Sequence, residues 1–195
     1  MVGQSLLIRA ARVNALGKSS LFANFALFQV GWFACVLGAA QGYPWAGTAV
    51  AAGVVAWHLW SAARPAQEVS LLAQVMLIGA VWDSLLVMLG WISYPSGTLL
   101  AGTAPHWILA LWALFATALN VSMRWLKGRL LVAALLGAVC GPLSYWAAMR
   151  LGAVEFVHPA QVIVAIAVGW SLIMPALMLL SQRNDGFSPR GEGAS

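Results

Sequence analysis

The sequence predicts an all-α integral-membrane bundle of six helices with both ends on the cytoplasmic side, on three observations. Hydrophobic residues make up 62% of the 195 residues and charged residues only 8%, where a soluble domain carries about 25% charged and 45–50% apolar residues. The apolar residues gather into six runs near the roughly 20 residues a helix needs to cross a hydrocarbon core. The basic residues fall at the ends of those runs, mostly on one side.

The first run is Leu21 to Ala40, after Arg9, Arg12 and Lys18. The segment Gln41-Gly-Tyr-Pro-Trp45 is a tight turn, and the second run follows from Ala46 to Trp60, extendable through Ala62 and Ala63. Arg64, Pro65 and Glu68 precede the third, Ser70 to Ile92. Ser93 to Pro105, rich in Gly, Pro, Ser and Thr, is a loop. The fourth run, His106 to Met123, is closed by Arg124, Lys127 and Arg129; the fifth, Leu130 to Met149, contains Gly141-Pro142. Residues 150–159 connect to the sixth, Ala160 to Ser181, whose Pro175, like Pro142, would loosen its helix. The domain organisation is thus a basic cytoplasmic segment over 1–20, a transmembrane domain over 21–181 and a polar tail over 182–195 expected to be disordered.

Orientation follows from the lysine and arginine bias of short loops. With the N-terminus inside, Arg9, Arg12, Lys18, Arg64, Arg124, Lys127, Arg129, Arg183 and Arg190 are cytoplasmic, nine of the ten basic residues, and Arg150 alone is outside. Six spans return the C-terminus to the same side. Trp45, Trp91 and Trp107 then mark outer ends and Trp57, Trp60 and Trp125 inner ends, where an indole finds both oil and water. A basic start, an apolar stretch and Gly38-Ala-Ala40 also outline a cleavable signal peptide; the long leading segment and the Asn24, Gln29 and Trp32 within the run argue against it. Leu6 to Leu16 could instead lie along the membrane surface as an amphipathic helix.

The net charge of +5 raises a nucleic-acid partner, which the pattern excludes: the cations cap apolar runs and form no stripe interleaved with aromatics. Cys35 and Cys140 sit inside apolar runs, as packing residues do. No H-E-x-x-H, histidine box, C-x-x-C, P-loop or dinucleotide fingerprint is present, so no metal and no cofactor are expected. Partners are expected among membrane lipids, a membrane-protein subunit or a second copy of the chain.

Asp83, near the middle of the third run, is the most informative residue. A carboxylate at a helix centre costs about 2.5–3.5 kcal/mol to insert in a bilayer, so it faces the bundle interior. Met76, Gly79, Asp83, Leu86 and Gly90 share its face, and either an interhelical hydrogen-bonding role or a substrate, proton or ion site fits. Similar stripes run along the first helix (Asn24, Gly31, Cys35, Gly38), the second (Gly47, Ala51, Val54, His58) and the fourth (His106, Ala110, Ala113, Thr117, Asn120). Gly137 and Gly141 form a small-xxx-small pair, the pattern that lets helix backbones approach in lipid. By depth, Asn24, Gln29, His58, Gln74 and Asn120 lie toward the cytoplasm. Asp83, His106, Ser144, Tyr145, Arg150, Glu155 and His158 lie from mid-membrane outward, and form the better candidate cavity because they hold an acid, a base and a cation. Arg150 either snorkels alone or pairs with Asp83 or Glu155, and His106 and His158, beside Pro105 and Pro159, read as solvated. Leu77-Ile-Gly-Ala-Val81 and Leu135-Leu-Gly-Ala-Val139 repeat weakly.

The wording of Asn24-Phe-Ala-Leu-Phe-Gln-Val-Gly-Trp-Phe-Ala-Cys-Val-Leu-Gly38, with Asp83-Ser84, Leu111 to Asn120 and Gly141-Pro-Leu-Ser-Tyr145 in order, resembles a family of small bacterial inner-membrane proteins catalogued as a domain of unknown function. The resemblance covers about residues 22 to 180. It implies no activity; family members often lie beside genes for fatty-acid-modifying methyltransferases, which implies an association with envelope lipids. Three functions remain open at this stage: an accessory protein of envelope-lipid or fatty-acid modification, a small proton- or cation-coupled transporter or channel using Asp83, and a structural subunit of a membrane complex.

Overall fold

A computed structural model describes residues 18–188; the expected surface helix at 6–16 lies outside them. Among the described residues the regular structure is helical, with one two-residue ladder. The elements are α1 (Lys18–Ala40), α2 (Pro44–Ser61), α3 (Pro65–Met88), β1 (Ile92–Ser93), α4 (His106–Leu119), a 3-10 turn (Arg124–Leu126), α5 (Leu130–Arg150), β2 (Glu155–Phe156) and α6 (Pro159–Arg183). Proline opens α2, α3 and α6, where its missing N–H has no intrahelical partner to lose. Pro142 and Pro175 sit inside unbroken helices.

α3 and α5 end alike. Trp91 N–H bonds Leu86 O at 3.1 Å and Ala153 N–H bonds Ala148 O at 3.0 Å, each around a glycine of positive φ, Gly90 at 68° and Gly152 at 87°, the left-handed closure that glycine adopts without a Cβ clash. The released strands then pair antiparallel, Ile92 with Phe156 and Ser93 with Glu155. The sequence places Ile92 at the end of the third run and Ser93, Glu155 and Phe156 in connecting segments, because two-residue strands carry no periodicity.

Among the described residues four helices are long and apolar enough to cross a membrane: Ser20–Ala40, Pro65–Met88, Leu130–Arg150 and Pro159–Arg183. Their outward stripes, such as Leu77-Val81-Leu85 and Leu131-Leu135-Val139, are exposed leucine and valine, a surface suited to lipid. The chain is a multi-pass membrane protein by length and composition.

α4 departs from the expected span over His106 to Met123. Its 14 residues rise only about 21 Å, short of a core of about 30 Å, and a helix of 10–14 apolar residues is more often buried in protein. It packs against α1, α2 and α3 with most of its circumference buried, and stops because Asn120 turns its amide to partners off the helix. α5 and α6 pack closely on each other and meet the remainder chiefly through α6. Glycines set these approaches: Gly79 faces the Trp112 ring, Gly141 the Trp170 ring and Gly169 the Trp82 ring, and Trp112 stacks on Trp170 at 5.0 Å and 15°.

The helices alternate in direction, which gathers unlike side chains at the two ends. His58, Glu68, Asn120, Arg124, Lys127 and Asp185 meet at one end. At the other, Ser96 Oγ donates to Ala39 O and Thr48 pairs with His106. Trp45, Trp60 and Trp125 are exposed as rim residues would be, but Trp107 is wholly buried, its indole N–H donated to Ser96 O at 3.1 Å. Folding of the 94–105 loop over that end removes it from any interface.

Candidate functional site

Asp83 is fully buried and holds three elements together. Its Oδ1 accepts from Tyr94 Oη at 2.6 Å and Tyr145 Oη at 2.7 Å, and its Oδ2 from Trp112 Nε1 at 2.7 Å. These donors come from the 94–105 loop, α5 and α4. The indoles of Trp82 and Trp170 lie beside the Tyr145 hydroxyl without closing a hydrogen bond. All three of the bonded partners are uncharged, and Asp83 belongs to no ion pair among the described residues.

Beside this cluster lies a cleft of about 520 Å³, within the usual range for a ligand pocket. Phe28, Gln29, Trp32 and Phe33 of α1 form one wall, and Leu136, Cys140, Leu143 and Ser144 of α5 the other; Trp112, Phe115, Trp170 and Asp83 line its depth. α1 and α5 do not pack along their length, and Trp32 Nε1 donating to Ser144 Oγ at 3.1 Å bridges the gap. Phe33, Cys140 and Leu143 are exposed, so the mouth opens on the apolar flank of the bundle.

A second cluster sits at the charged end. Glu68, buried completely, pairs Oε2 with His58 Nε2 at 2.8 Å, while its Oε1 accepts from Asn120 Nδ2 at 2.8 Å and Gly186 N at 2.7 Å. Asn120 Oδ1 takes Lys127 Nζ at 2.6 Å. Lys127 and Arg124 then clamp the Asp185 carboxylate at 2.7 and 2.8 Å, and Arg64 donates to the carbonyls of Asp185 and Ser188. Phe187 closes the assembly, buried with its ring 4.9 Å from that of His58.

The tail expected to be disordered over 182–195 therefore begins in order: α6 runs to Arg183, and residues 184–188 are docked, with 189–195 outside the described residues. Burial lifts the Asp185 carboxyl, but hydrogen bonds from Lys127 and Ser188 and the charges of Lys127 and Arg124 outweigh it and hold it below the ordinary value of 3.8. Burial lowers the Lys127 ammonium below 10.5 against the pull of Asp185. A carboxyl depressed on folding contributes stability that is present above its ordinary value and is lost as pH falls through the lowered one. The 184–188 segment should accordingly stay docked at pH 7 and release as pH drops below about 4, seen as pepsin cleavage after Phe187 that rises with acid relative to cleavage of a free peptide of the same sequence at each pH. A ratio that does not rise as pH falls through that range would refute the clamp.

The expected site residues divide between these places. Asp83 and Tyr145 are brought together, and Ser144 and Gln29 line the adjoining cleft. His58 and Asn120 join Glu68 at the charged end. Asn24 Nδ2 donates to Thr117 O at 3.1 Å, tying α1 to α4. Arg150 pairs with neither Asp83 nor Glu155; it is exposed, with its guanidinium 5.8 Å from the centre of the Trp146 ring. Glu155 accepts from Ser93 Oγ at 2.9 Å, and His158, exposed, precedes α6. His106 is buried instead of solvated, stacked on Trp45 at 3.8 Å and 2.9 Å from Thr48 Oγ1. The outer polar group thus does not form one cavity: only Asp83, Ser144 and Tyr145 of it do.

Glu68, Tyr94, Trp112 and Asp185 were missed. Glu68 carried one signal, an acidic residue in the first turn of a helix, where it favours the positive end of the dipole; the others read as loop, apolar filler and tail.

A family model described as a protein of unknown function (DUF2878) matches residues 21–176. No curated protein and no solved structure matches the chain.

Proposed function

The chain belongs to that family, whose description assigns no activity, and we propose from the geometry that it takes a lipid acyl chain into the cleft between α1 and α5; with the envelope-lipid association that its resemblance implies, it would serve in the inner membrane as an accessory protein of envelope-lipid modification. In this reading all six helices are embedded, the charged end is cytoplasmic and both termini lie inside, as the basic residues there favour. The single observation that carries it is the cleft itself: about 520 Å³ of space walled by aromatic and aliphatic side chains, with its mouth among exposed apolar residues. A solute from water would have to cross lipid to reach that mouth, whereas an acyl chain is already there. Small-molecule sites are typically apolar with few polar groups to fix orientation, and here Gln29 and Ser144 are those groups. Asp83 supports the binding reading over proton-coupled transport, because both its oxygens already accept from fixed donors.

Cys140 reports on occupancy. Of the two cysteines, Cys140 is exposed on the cleft and Cys35 is buried. A membrane-soluble methanethiosulfonate reagent should modify Cys140 and spare Cys35 in the native protein, and added lipids bearing acyl chains should slow that reaction several-fold. A rate independent of added lipid at every concentration would sink the proposal. Lipidomics of a gene-deletion strain tests the pathway: an unchanged lipid profile would remove the accessory role and leave binding alone.

A further inference from the structure

We propose that the cleft prefers an acyl chain bearing an uncharged oxygen function, a hydroxyl or keto group, in its distal half, with that oxygen held by the Gln29 amide. The inference rests on the reading of the cleft as an acyl-chain site and adds which part of the chain the wall recognises.

Gln29 is the polar side chain of the cleft that the protein leaves unsatisfied. It is half-buried and lines the space, and among the described residues its amide has no hydrogen-bond partner. Asp83 takes no part, being buried completely behind Tyr94, Tyr145 and Trp112. Ser144 accepts from Trp32 and keeps its own proton to donate. An amide beside hydrocarbon meets no water, and a polar group unsatisfied there is costly. A hydroxyl can accept from the amide N–H and donate to its carbonyl, and a ketone can accept; plain methylenes do neither. No lysine, arginine or histidine lines the cleft. An uncharged oxygen therefore fits where an ionised group would lack a countercharge.

Height decides which part of a chain meets Gln29. The residue lies at the midpoint of α1, eleven residues from Lys18 and from Ala40, about 16 Å from either end. Half of a hydrocarbon core of about 30 Å is about 15 Å. The amide thus stands at the level where the chains of a leaflet end, far from their heads. The opposite wall agrees. Trp32 and Ser144 are bonded and so level with each other. Gln29 precedes Trp32 by three residues and Cys140 precedes Ser144 by four, on helices of the same direction, which puts amide and thiol at about one height. From there the lining continues past Phe28, Leu136 and Met174 to Met123, an apolar path for the proximal half of a chain whose head stays at the charged end.

The test follows methanethiosulfonate modification of Cys140 in the full-length protein, held in a steroid-based detergent that carries no acyl chain. Three uncharged probes are compared: methyl octadecanoate, methyl 12-hydroxyoctadecanoate and methyl 2-hydroxyoctadecanoate. The 12-hydroxy ester should protect Cys140 at concentrations about five- to tenfold lower than the plain ester needs, the ratio that one net hydrogen bond supplies. The 2-hydroxy ester should match the plain one. Gln29→Leu, an apolar side chain of similar size, should erase that preference while all three still protect. Equal protection by all three in the native protein, or a preference for the 2-hydroxy ester, overturns the distal-oxygen reading and leaves the acyl site standing. A preference that survives Gln29→Leu overturns the assignment to Gln29. Failure of all three to protect overturns the acyl-chain reading itself. Should Gln29→Leu not fold, the native comparison of the two hydroxyl positions decides alone.

Discussion

Replacing Glu68 by alanine is expected to lower stability by about 3–5 kcal/mol, because several buried polar groups would each be left unsatisfied at a cost of about 1–3 kcal/mol. The carboxylate is fully buried and serves three groups from three parts of the chain: His58 on α2, Asn120 at the end of α4 and the Gly186 amide in the segment after α6. Alanine leaves His58 Nε2, the Asn120 amide and the Gly186 N–H without their acceptor in a place water does not reach. The Lys127–Asp185 clamp shares Asn120 with Glu68, so the damage should spread to residues 184–188. A melting midpoint in detergent lower by roughly 10 °C, together with faster proteolysis after α6, is the expected readout. Glu68→Gln keeps an acceptor for Asn120 and Gly186 and should lose less than half as much. A Glu68→Ala protein as stable as the parent would show that the network is incidental.

Gly47→Ala is the second large effect. A Cβ at Gly47 would land on the Cα and N of Cys35 and the carbonyl oxygen of Ala34, all backbone of α1, where no side chain can rotate aside. The α1–α2 hairpin must open or fail to form, and a cost at or above about 3 kcal/mol follows from overpacking with no relief. Gly31→Ala supplies the contrast: its Cβ would meet only the end of the Leu114 side chain, which can shift, so the loss should stay near 1 kcal/mol. Gly53 has open space around its Cβ position inside α2, and alanine there should stabilise by about 0.5–1 kcal/mol through helix propensity. If the Gly47 and Gly31 variants melted together, backbone proximity would not be what α1–α2 packing depends on.

Much of this packing is legible in the residues. The second stripe read from 3.6-residue spacing, Gly47, Ala51, Val54 and His58, is the buried face of α2, because in an apolar helix only small and polar side chains distinguish the protein side from the lipid side. Gly79, Asp83 and Leu86 face inward for the same reason, while Gly90 falls beyond α3 in the turn that ends it. What spacing could not give is which helix a face meets. Tyr145 and Trp112 reach Asp83 across 62 and 29 residues of chain, and nothing local to either predicts that encounter. Glu68 looked like a charge at a loop because it follows Arg64 and Pro65; its inward direction depends on where the far end of α6 arrives. The docking of residues 184–188 was hidden for the same reason, since a polar composition matches disorder unless a buried countercharge waits for it. The cleft is invisible in sequence because it exists where α1 and α5 fail to pack.

The partners of Asp83 are spread along the chain in a way that sets an order of biogenesis. Tyr94 follows it by 11 residues, Trp112 by 29 and Tyr145 by 62. At about 5–20 residues per second, the ribosome delivers the last hydroxyl roughly 3–12 s after the acid. Tyr94 and then Trp112 are therefore available to the acid before Tyr145 is made, and the arriving α5–α6 pair meets an acceptor already partnered on both oxygens. The residue that rivets the finished molecule thus also acts earlier, as the landmark by which the final hairpin finds its seat.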